Sequence, residues 1–152
     1  MQMRISYARS APGVFDAMES LDNYLEVSSV ERPLRFLVQL RASQINGCAY
    51  CLDMHTKDAR AAGESEQRLY TLSAWRETPF FSARERAALA WTEAVTRIAD
   101  AHVSDAVYTE AASHFDEKEL VDLTLAVIAI NGWNRLAITF QASVGGYQPA
   151  KP

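Results

Sequence analysis

Apolar residues recur at helical spacing along almost the whole of this 152-residue chain, whereas the strict alternation typical of half-buried strands is hard to find. The pattern predicts an all-α fold. The length suits one domain, and a composition of 49% hydrophobic and 22% charged residues is that of a globular chain rather than a disordered one. We therefore expect a single-domain helical bundle of about six to seven helices.

Turn-forming and capping residues divide the pattern into segments. The signals are prolines in first turns, glycines just after helix ends, and Ser or Asp followed three residues later by Glu. They predict helices over residues 12–26, 32–44, 48–63, 65–75, 82–98, 104–114 and 116–140. The last helix is expected to pause at Asn131-Gly132, and residues 145–152 are expected to form a loose tail.

One tripeptide occurs twice, as Ile45-Asn46-Gly47 and as Ile130-Asn131-Gly132. Each copy follows an apolar helical segment, which is what two related helix-turn-helix halves would show. A match of three residues also arises by chance, so both readings stay open.

Charge and hydropathy narrow the possible partners and locations. Fifteen basic against nineteen acidic residues give a net charge of −4, and no segment concentrates Lys and Arg, so nucleic acid is not an expected partner. The first residues lack a signal-peptide run, and the most apolar window, Leu125 to Ile130, is shorter than a membrane span. We expect a cytoplasmic protein without a membrane partner, and the absence of nucleotide, flavin and haem motifs predicts no cofactor.

The segment from Cys48 to His55 carries the chemistry that the sequence offers. Cys48 and Cys51 are three residues apart, a spacing that places two thiols one helical turn apart and permits a reversible disulfide. Near a helix start, unpaired N–H groups and the macrodipole favour a thiolate. His55 follows on the same face and can accept the thiol proton. Cys51 is the expected attacking thiol, although Cys48, nearer the helix start and expected to be more exposed, could exchange roles with it.

Two other interpretations compete with redox chemistry. Structural zinc normally has four protein ligands, and His102 and His114 are isolated downstream, so a zinc site is disfavoured and no metal is expected. Alternatively, both cysteines are small buried apolar residues and His55 is a core histidine.

The stretch Arg41-Ala-Ser-Gln-Ile-Asn-Gly-Cys-Ala-Tyr-Cys-Leu-Asp-Met-His55 resembles the alkylhydroperoxidase D-like (AhpD-like) branch of the carboxymuconolactone decarboxylase family. The resemblance covers most of the chain from about Glu31 to Phe140. It also includes the runs 56–59, 69–70, 74–77, 85–93 and Asn131-Gly-Trp-Asn-Arg135.

This resemblance implies an AhpD-like bundle over residues 31–144, with residues 1–30 as an N-terminal helical extension and 145–152 as a tail. It implies a peroxidase that cycles a Cys48–Cys51 dithiol and disulfide, with His55 as general base. It also implies a homo-oligomer, commonly a trimer or hexamer, and an external dithiol reductant such as a lipoylated or thioredoxin-like protein. Decarboxylase members lack the cysteine pair, so lactone decarboxylation is not expected.

The proton relay of well-known peroxidase members departs from this sequence at two positions. The relay glutamate twelve residues before the first cysteine is Phe36 here, and a histidine between the cysteines is Tyr50. Another carboxylate is expected to substitute, and the candidates are Glu93, Glu85 and Glu31. Glu93 is favoured because its neighbours are more apolar, although a solvated surface glutamate is equally consistent with the pattern. Tyr50 is a candidate hydrogen-bond donor to a bound hydroperoxide, or an aromatic packed between subunits.

These observations predict a thiol-based peroxidase acting on a hydroperoxide. A disulfide oxidoreductase with little peroxidase activity is the first alternative. A non-catalytic oligomeric or redox-sensing module is the second.

Overall fold

A computed structural model of the chain describes residues 2–149, and every regular element in that part is helical. The all-α prediction is confirmed. The structure adds a one-turn helix near the N-terminus and divides the segment 65–75 into an α-helix and a 3-10 helix. The elements are α1 (Tyr7–Ser10), α2 (Pro12–Glu26), α3 (Arg32–Asn46), α4 (Ala49–Ala61), α5 (Glu66–Thr71), the 3-10 helix (Leu72–Glu77), α6 (Ala83–Thr96), α7 (Asp105–His114) and α8 (Glu117–Phe140).

Helices α3 and α8 pack against each other at the centre of the bundle, and α2, α4, α6 and α7 surround α8. Leu37 and Val38 of α3 and Leu123 and Val127 of α8 are fully buried, so these two helices carry the core. Both predicted capping boxes, which begin α6 and α8, are present.

The whole of α8 is long and apolar enough to cross a membrane. The window from Leu125 to Ile130 considered in the sequence analysis covers only part of this apolar stretch. Within this domain, however, α8 carries buried polar groups that bond to other helices. The Asp122 carboxylate accepts hydrogen bonds from Tyr24 and Ser29, and the Asn134 amide donates to Ser43. Such internal partners are typical of a core helix in a folded domain.

The expected pause at Asn131-Gly132 is wrong, because α8 runs through both residues without interruption. Gly132 does not form a turn, and its lack of a side chain matters for helix packing instead. A Cβ built there would lie 2.8 Å from the Cε of Met18, so glycine allows α2 to approach α8 closely. The second half of the suggested repeat is therefore a continuous helix and not a helix-turn-helix.

The turn between α3 and α4 is made by Gly47, whose φ of 70° is in the left-handed region that favours glycine. The N–H of Cys48 bonds to the Ser43 carbonyl, and that of Gly47 bonds to the Gln44 carbonyl, which is a Schellman ending of α3. Cys48 consequently becomes the N-cap of α4.

Residues 145–149 do not form the loose tail expected from the sequence. The Gly145 N–H bonds to Asp53, and Lys57 donates to the carbonyl of Tyr147, whose hydroxyl donates to Asp58 at 2.7 Å. Gly145 and Tyr147 are thereby bonded to α4. The remainder of the predicted tail, residues 150–152, lies outside the described residues.

Candidate active site

The two cysteines lie at the start of α4, Cys48 as its N-cap and Cys51 in its first turn. Their sulfurs are paired as a disulfide, with Cα atoms 5.4 Å apart. The Cys48 sulfur accepts a hydrogen bond from the Cys51 N–H at 3.3 Å. This bond and the helix N-terminus would stabilise a Cys48 thiolate in the reduced protein. Both residues are 1% exposed, so the expectation that Cys48 is the more exposed one is wrong.

His55 lies one turn beyond Cys51 on α4 and is buried. Burial lowers the pKa of its imidazole to about 4, because the charged form loses its hydration. Its Nε2 is buried without a hydrogen-bond partner among the described residues. The ring is therefore neutral at pH 7 and has a nitrogen free to bond with a ligand or with a reduced thiol.

A cavity of about 220 Å³ opens beside Cys51 and His55, between α1, α2, α3, α4 and α8. It brings together three of the sequence-predicted residues, namely Cys51, His55 and Tyr50. The rest of its wall consists of Tyr7, Phe15, Glu19, Asp22, Gln39, Met54, Trp133 and Ala137. Phe15 and Trp133 meet edge to face with ring centroids 5.5 Å apart. The wall is thus mostly aromatic and apolar, with two carboxyl groups.

Two carboxyl residues of the cavity wall, Glu19 and Asp22, are not among the residues predicted from the sequence, and Asp22 is the one with a defined partner. It lines the cavity together with Cys51 and His55, and its Oδ2 accepts a hydrogen bond from the Trp133 indole N–H at 2.8 Å. Burial raises the pKa of Asp22, and the Trp133 bond offsets part of this effect. Asp22 comes from α2, 26 positions before the first cysteine, and no local pattern in the sequence links the two segments.

The glutamates predicted to complete a relay do not line this cavity. Glu93 is buried as expected, but its carboxylate is already bound by Arg41 at 2.8 Å, Trp75 at 2.9 Å and Arg76 at 2.7 Å. Burial would raise the pKa of Glu93, but these three hydrogen bonds outweigh it and lower the pKa. This arrangement joins α3, α6 and the 3-10 helix.

Glu85 and Glu31 are also engaged away from His55. Glu85 completes the capping box of α6 and bonds to Arg68. Glu31 is the exposed N-cap residue of α3 and pairs with Arg84 at 3.4 Å. No bond between His55 and any of the three candidate glutamates occurs in residues 2–149.

A second cavity of about 200 Å³ adjoins the first and shares Asp22, Gln39 and His55 with it. Phe36, at the position of the relay glutamate of the family, lines this second cavity, so the position is adjacent to His55 but carries no acid. The guanidinium of Arg32 lies 5.5 Å from the centre of the Phe36 ring. This cavity is the more polar of the two.

Cys48 borders a different space from Cys51. A groove of about 440 Å³ runs along the Cys48 side, between the start of α4, the end of α8 and residues 141–144. The two cysteines thus border different spaces, which have Tyr50 and Ala137 in common. Residues 2–149 contain no cluster of three or more His, Cys, Asp or Glu side chains that could hold a metal ion.

Comparison with known proteins agrees with this architecture. The model of the carboxymuconolactone decarboxylase family matches residues 12–94, more than half of the chain. An uncharacterized protein of Bacillus subtilis, YdfG, is 46% identical over 138 residues, which are 91% of this chain and 94% of the relative. The chain therefore belongs to the carboxymuconolactone decarboxylase family.

Two solved structures identify the branch. ATU0492 from Agrobacterium tumefaciens, a protein of unknown function that is named for AhpD and a proposed role in antioxidant defence, is 42% identical with a TM-score of 0.92. The alignment covers 96% of this chain and 100% of that one. An alkylhydroperoxidase AhpD core protein from Ralstonia eutropha shares the fold at 18% identity, with a TM-score of 0.80 over 91% of this chain and 74% of that one. Within the family, the chain is a member of the AhpD-like branch.

Proposed function

We propose that this protein is a thiol-based peroxidase that reduces an organic hydroperoxide with the Cys48–Cys51 pair. The observation that carries the proposal is that Cys51 and the unpartnered His55 line one cavity, while Cys48 lies within disulfide reach of Cys51. A nucleophile, a base and a resolving thiol are the parts that such a reaction requires. The AhpD-like relatives support the same chemistry by similarity.

The reaction begins with the reduced pair. Neutral His55 accepts the proton of the Cys51 thiol, and the thiolate attacks the terminal peroxide oxygen. The O–O bond breaks, the alkoxide takes a proton to leave as the alcohol, and Cys51 becomes a sulfenic acid. The Cys48 thiolate, stabilised by the Cys51 N–H, then attacks the sulfenic sulfur and forms the disulfide. The hydroxyl group takes up the proton that the Cys48 thiol released and leaves as water.

An imidazole with a pKa of about 4 gains a proton at neutral pH only if a nearby negative charge stabilises its charged form. The thiolate formed at Cys51 provides one such charge. Asp22, in the same cavity and oriented by Trp133, provides another. We assign to Asp22 the role that was expected of Glu93.

An external dithiol must return the disulfide to the reduced state, since two electrons are consumed in each turnover. The groove beside Cys48 can admit an extended thiol such as a lipoyl arm or a peptide carrying a dithiol. Assembly into a trimer or hexamer remains part of the proposal, as does a cytoplasmic location.

Mass spectrometry tests this function directly. After one equivalent of cumene hydroperoxide, reduced wild-type protein should lose two hydrogens and release one equivalent of alcohol. Cys48→Ser should instead retain a sulfenic acid at Cys51 that dimedone traps, and Cys51→Ser should remain unmodified. Trapping at Cys48 in the Cys51→Ser variant would reverse the roles of the two thiols, and an unmodified wild type would exclude a peroxidase.

A disulfide oxidoreductase is the second candidate, and the separate groove at Cys48 favours it because a bulky disulfide substrate could enter there. The discriminating measurement is a stopped-flow comparison of the reduced protein with an organic hydroperoxide and with a small linear disulfide such as oxidised glutathione. Faster reaction with the hydroperoxide supports the peroxidase. The reverse order supports the oxidoreductase.

A further inference from the structure

The cavity beside Cys51 has an unusual balance of charge. Its wall contains the carboxyl groups of Glu19 and Asp22 and contains no Lys or Arg within the described residues. His55 adds no positive charge at neutral pH, because burial lowers the pKa of its imidazole. The fixed charge around the reacting sulfur is therefore negative.

The arginines of the adjoining cavity do not line this one. Arg35 of α3 lies in the adjoining cavity, where its guanidinium pairs with Glu26 at 2.9 Å and also bonds to the Leu25 carbonyl. Arg35 and Glu26 neutralise each other. Arg32 lies over the Phe36 ring in the same adjoining cavity.

The aromatic groups of the wall supply no positive charge. Four rings, those of Tyr7, Phe15, Tyr50 and Trp133, surround the cavity. The faces of such rings carry partial negative charge and attract cations. An anion that enters would lose its hydration, meet two carboxylates and find no charged donor to replace water.

We propose that this cavity selects its hydroperoxide by charge: it accepts uncharged and cationic organic hydroperoxides and excludes anionic ones, and Glu19 and Asp22 set this selection. The inference rests on the proposed peroxidase function and specifies its substrate class. Hydroperoxides of carboxylic acids and other anionic peroxides would then be poor substrates.

Three hydroperoxides with one skeleton test the selection: cumene hydroperoxide, its para-carboxylate and its para-trimethylammonium derivative. Single-turnover rate constants are measured by stopped flow with the reduced protein at low ionic strength. The carboxylate should react at least about tenfold more slowly than the neutral compound, and added salt should narrow the difference. The ammonium compound should react at least as fast as the neutral one.

Variants of the two carboxyl residues test whether they cause the charge selection. Asp22→Asn and Glu19→Gln should each raise the rate ratio of carboxylate to neutral substrate by about threefold to tenfold. Because both rate constants in the ratio are measured on the same variant, a general loss of thiol reactivity lowers both and leaves the ratio unchanged. Asp16→Asn is the matched control, since Asp16 is an exposed carboxylate of the same helix that does not line the cavity. It should leave the ratio unchanged.

Equal rates for the carboxylate and neutral compounds in the wild type, or unchanged ratios in both cavity variants, would overturn the inference. If no hydroperoxide reacts, the peroxidase proposal fails, and ligand binding then tests the selection separately. Benzyltrimethylammonium should quench Trp133 fluorescence at lower concentration than benzoate, with Trp133→Phe identifying the signal. Equal or reversed affinities would reject charge selection itself.

Discussion

The side-chain amide of Asn46 donates a hydrogen bond to the amide oxygen of Asn131 at 2.9 Å, across 85 residues of sequence. These are the matching asparagines of the two Ile-Asn-Gly tripeptides. The same Asn46 amide donates to Asn134 at 2.8 Å, and Asn134 donates to Ser43 at 3.0 Å. Since Asn46 is the last residue of α3, these bonds connect α8 to the turn that places Cys48.

Replacing Asn46 should therefore weaken both the fold and the site. Asn46→Ala removes the donor to the fully buried Asn134 oxygen, and we expect the free energy of unfolding to fall by about 2 kcal/mol. Urea denaturation of the reduced protein measures this change. Gln44→Ala, in the same last turn but bonded only to Arg41, should change it by less than about 0.5 kcal/mol. Equal losses in the two variants would show that the amide network contributes nothing specific.

Local signals in the sequence were sufficient to predict those helix ends that depend only on neighbouring residues. Pro33 near the start of α3, Gly47 at its end and the capping boxes at Ser82 and Asp116 all act within one or two turns, and each lies where the pattern predicted. Asn131-Gly132 has the same composition as a turn, but α8 continues through it, Met18 packs beside Gly132 and the Asn131 side chain accepts a hydrogen bond from Asn46. That outcome depends on a tertiary contact.

The residues of the candidate site likewise fall into those that local spacing predicts and those that depend on tertiary packing. Cys48, Cys51 and His55 are contained in one helical turn and its continuation, so their spacing alone predicted a shared face. The carboxyl group of Asp22, which lines one cavity with Cys51 and His55, could not be predicted from spacing, because Asp22 reaches the cavity through the packing of α2 on α8. Glu93 is buried, but the pairing of its carboxylate with Arg41 and Arg76 was not visible in the pattern.

The buried neutral His55 predicts loss of stability in weak acid. Its pKa is about 4 in the folded chain against an ordinary value of 6.5, so the unfolded chain binds more protons between these pH values. Stability should rise with pH across this window and be lost as pH falls, by up to about 3 kcal/mol at pH 4.

Chemical denaturation of wild type and His55→Gln between about pH 4 and pH 7 measures the effect. The variant should lack this part of the pH dependence. Asp122, whose pKa is lowered in the fold despite burial because of bonds from Lys118 and Ser29, loses its contribution only below its ordinary pKa of 3.8. The two effects therefore separate in pH. Parallel curves for both proteins would contradict a buried neutral imidazole.

Deleting the C-terminal segment, residues 145–152, should make Cys48 more accessible to reagents. Deletion of residues 145–152 removes the bonds of Gly145 and Tyr147 to α4 and releases residues 141–144, which border the Cys48 groove. Iodoacetamide should then alkylate Cys48 several-fold faster in a Cys51→Ser background, and Cys51 at an unchanged rate in a Cys48→Ser background. Tyr147→Phe keeps the backbone bond to Lys57 and should have a smaller effect. Equal acceleration at both cysteines would indicate general loosening instead.

Whether Asp22→Asn speeds or slows the alkylation of Cys51 distinguishes two roles for Asp22. As a negative charge alone, its carboxylate would repel a Cys51 thiolate, so Asp22→Asn would speed alkylation at neutral pH. As a partner that stabilises protonated His55, it favours the thiolate, and the variant should slow alkylation by about tenfold with recovery at higher pH. Uncharged iodoacetamide in a Cys48→Ser background isolates Cys51 and avoids charge effects on the reagent.

Two further variants separate a positioning role for Asp22 from a merely structural one. Asp22→Glu should restore much of the alkylation rate, because it returns a carboxylate to the cavity. In a His55→Gln background, Asp22→Asn should no longer change the rate, because the group through which the carboxylate acts is gone. An accelerated Asp22→Asn variant would contradict the relay and leave Asp22 only a role in excluding anions.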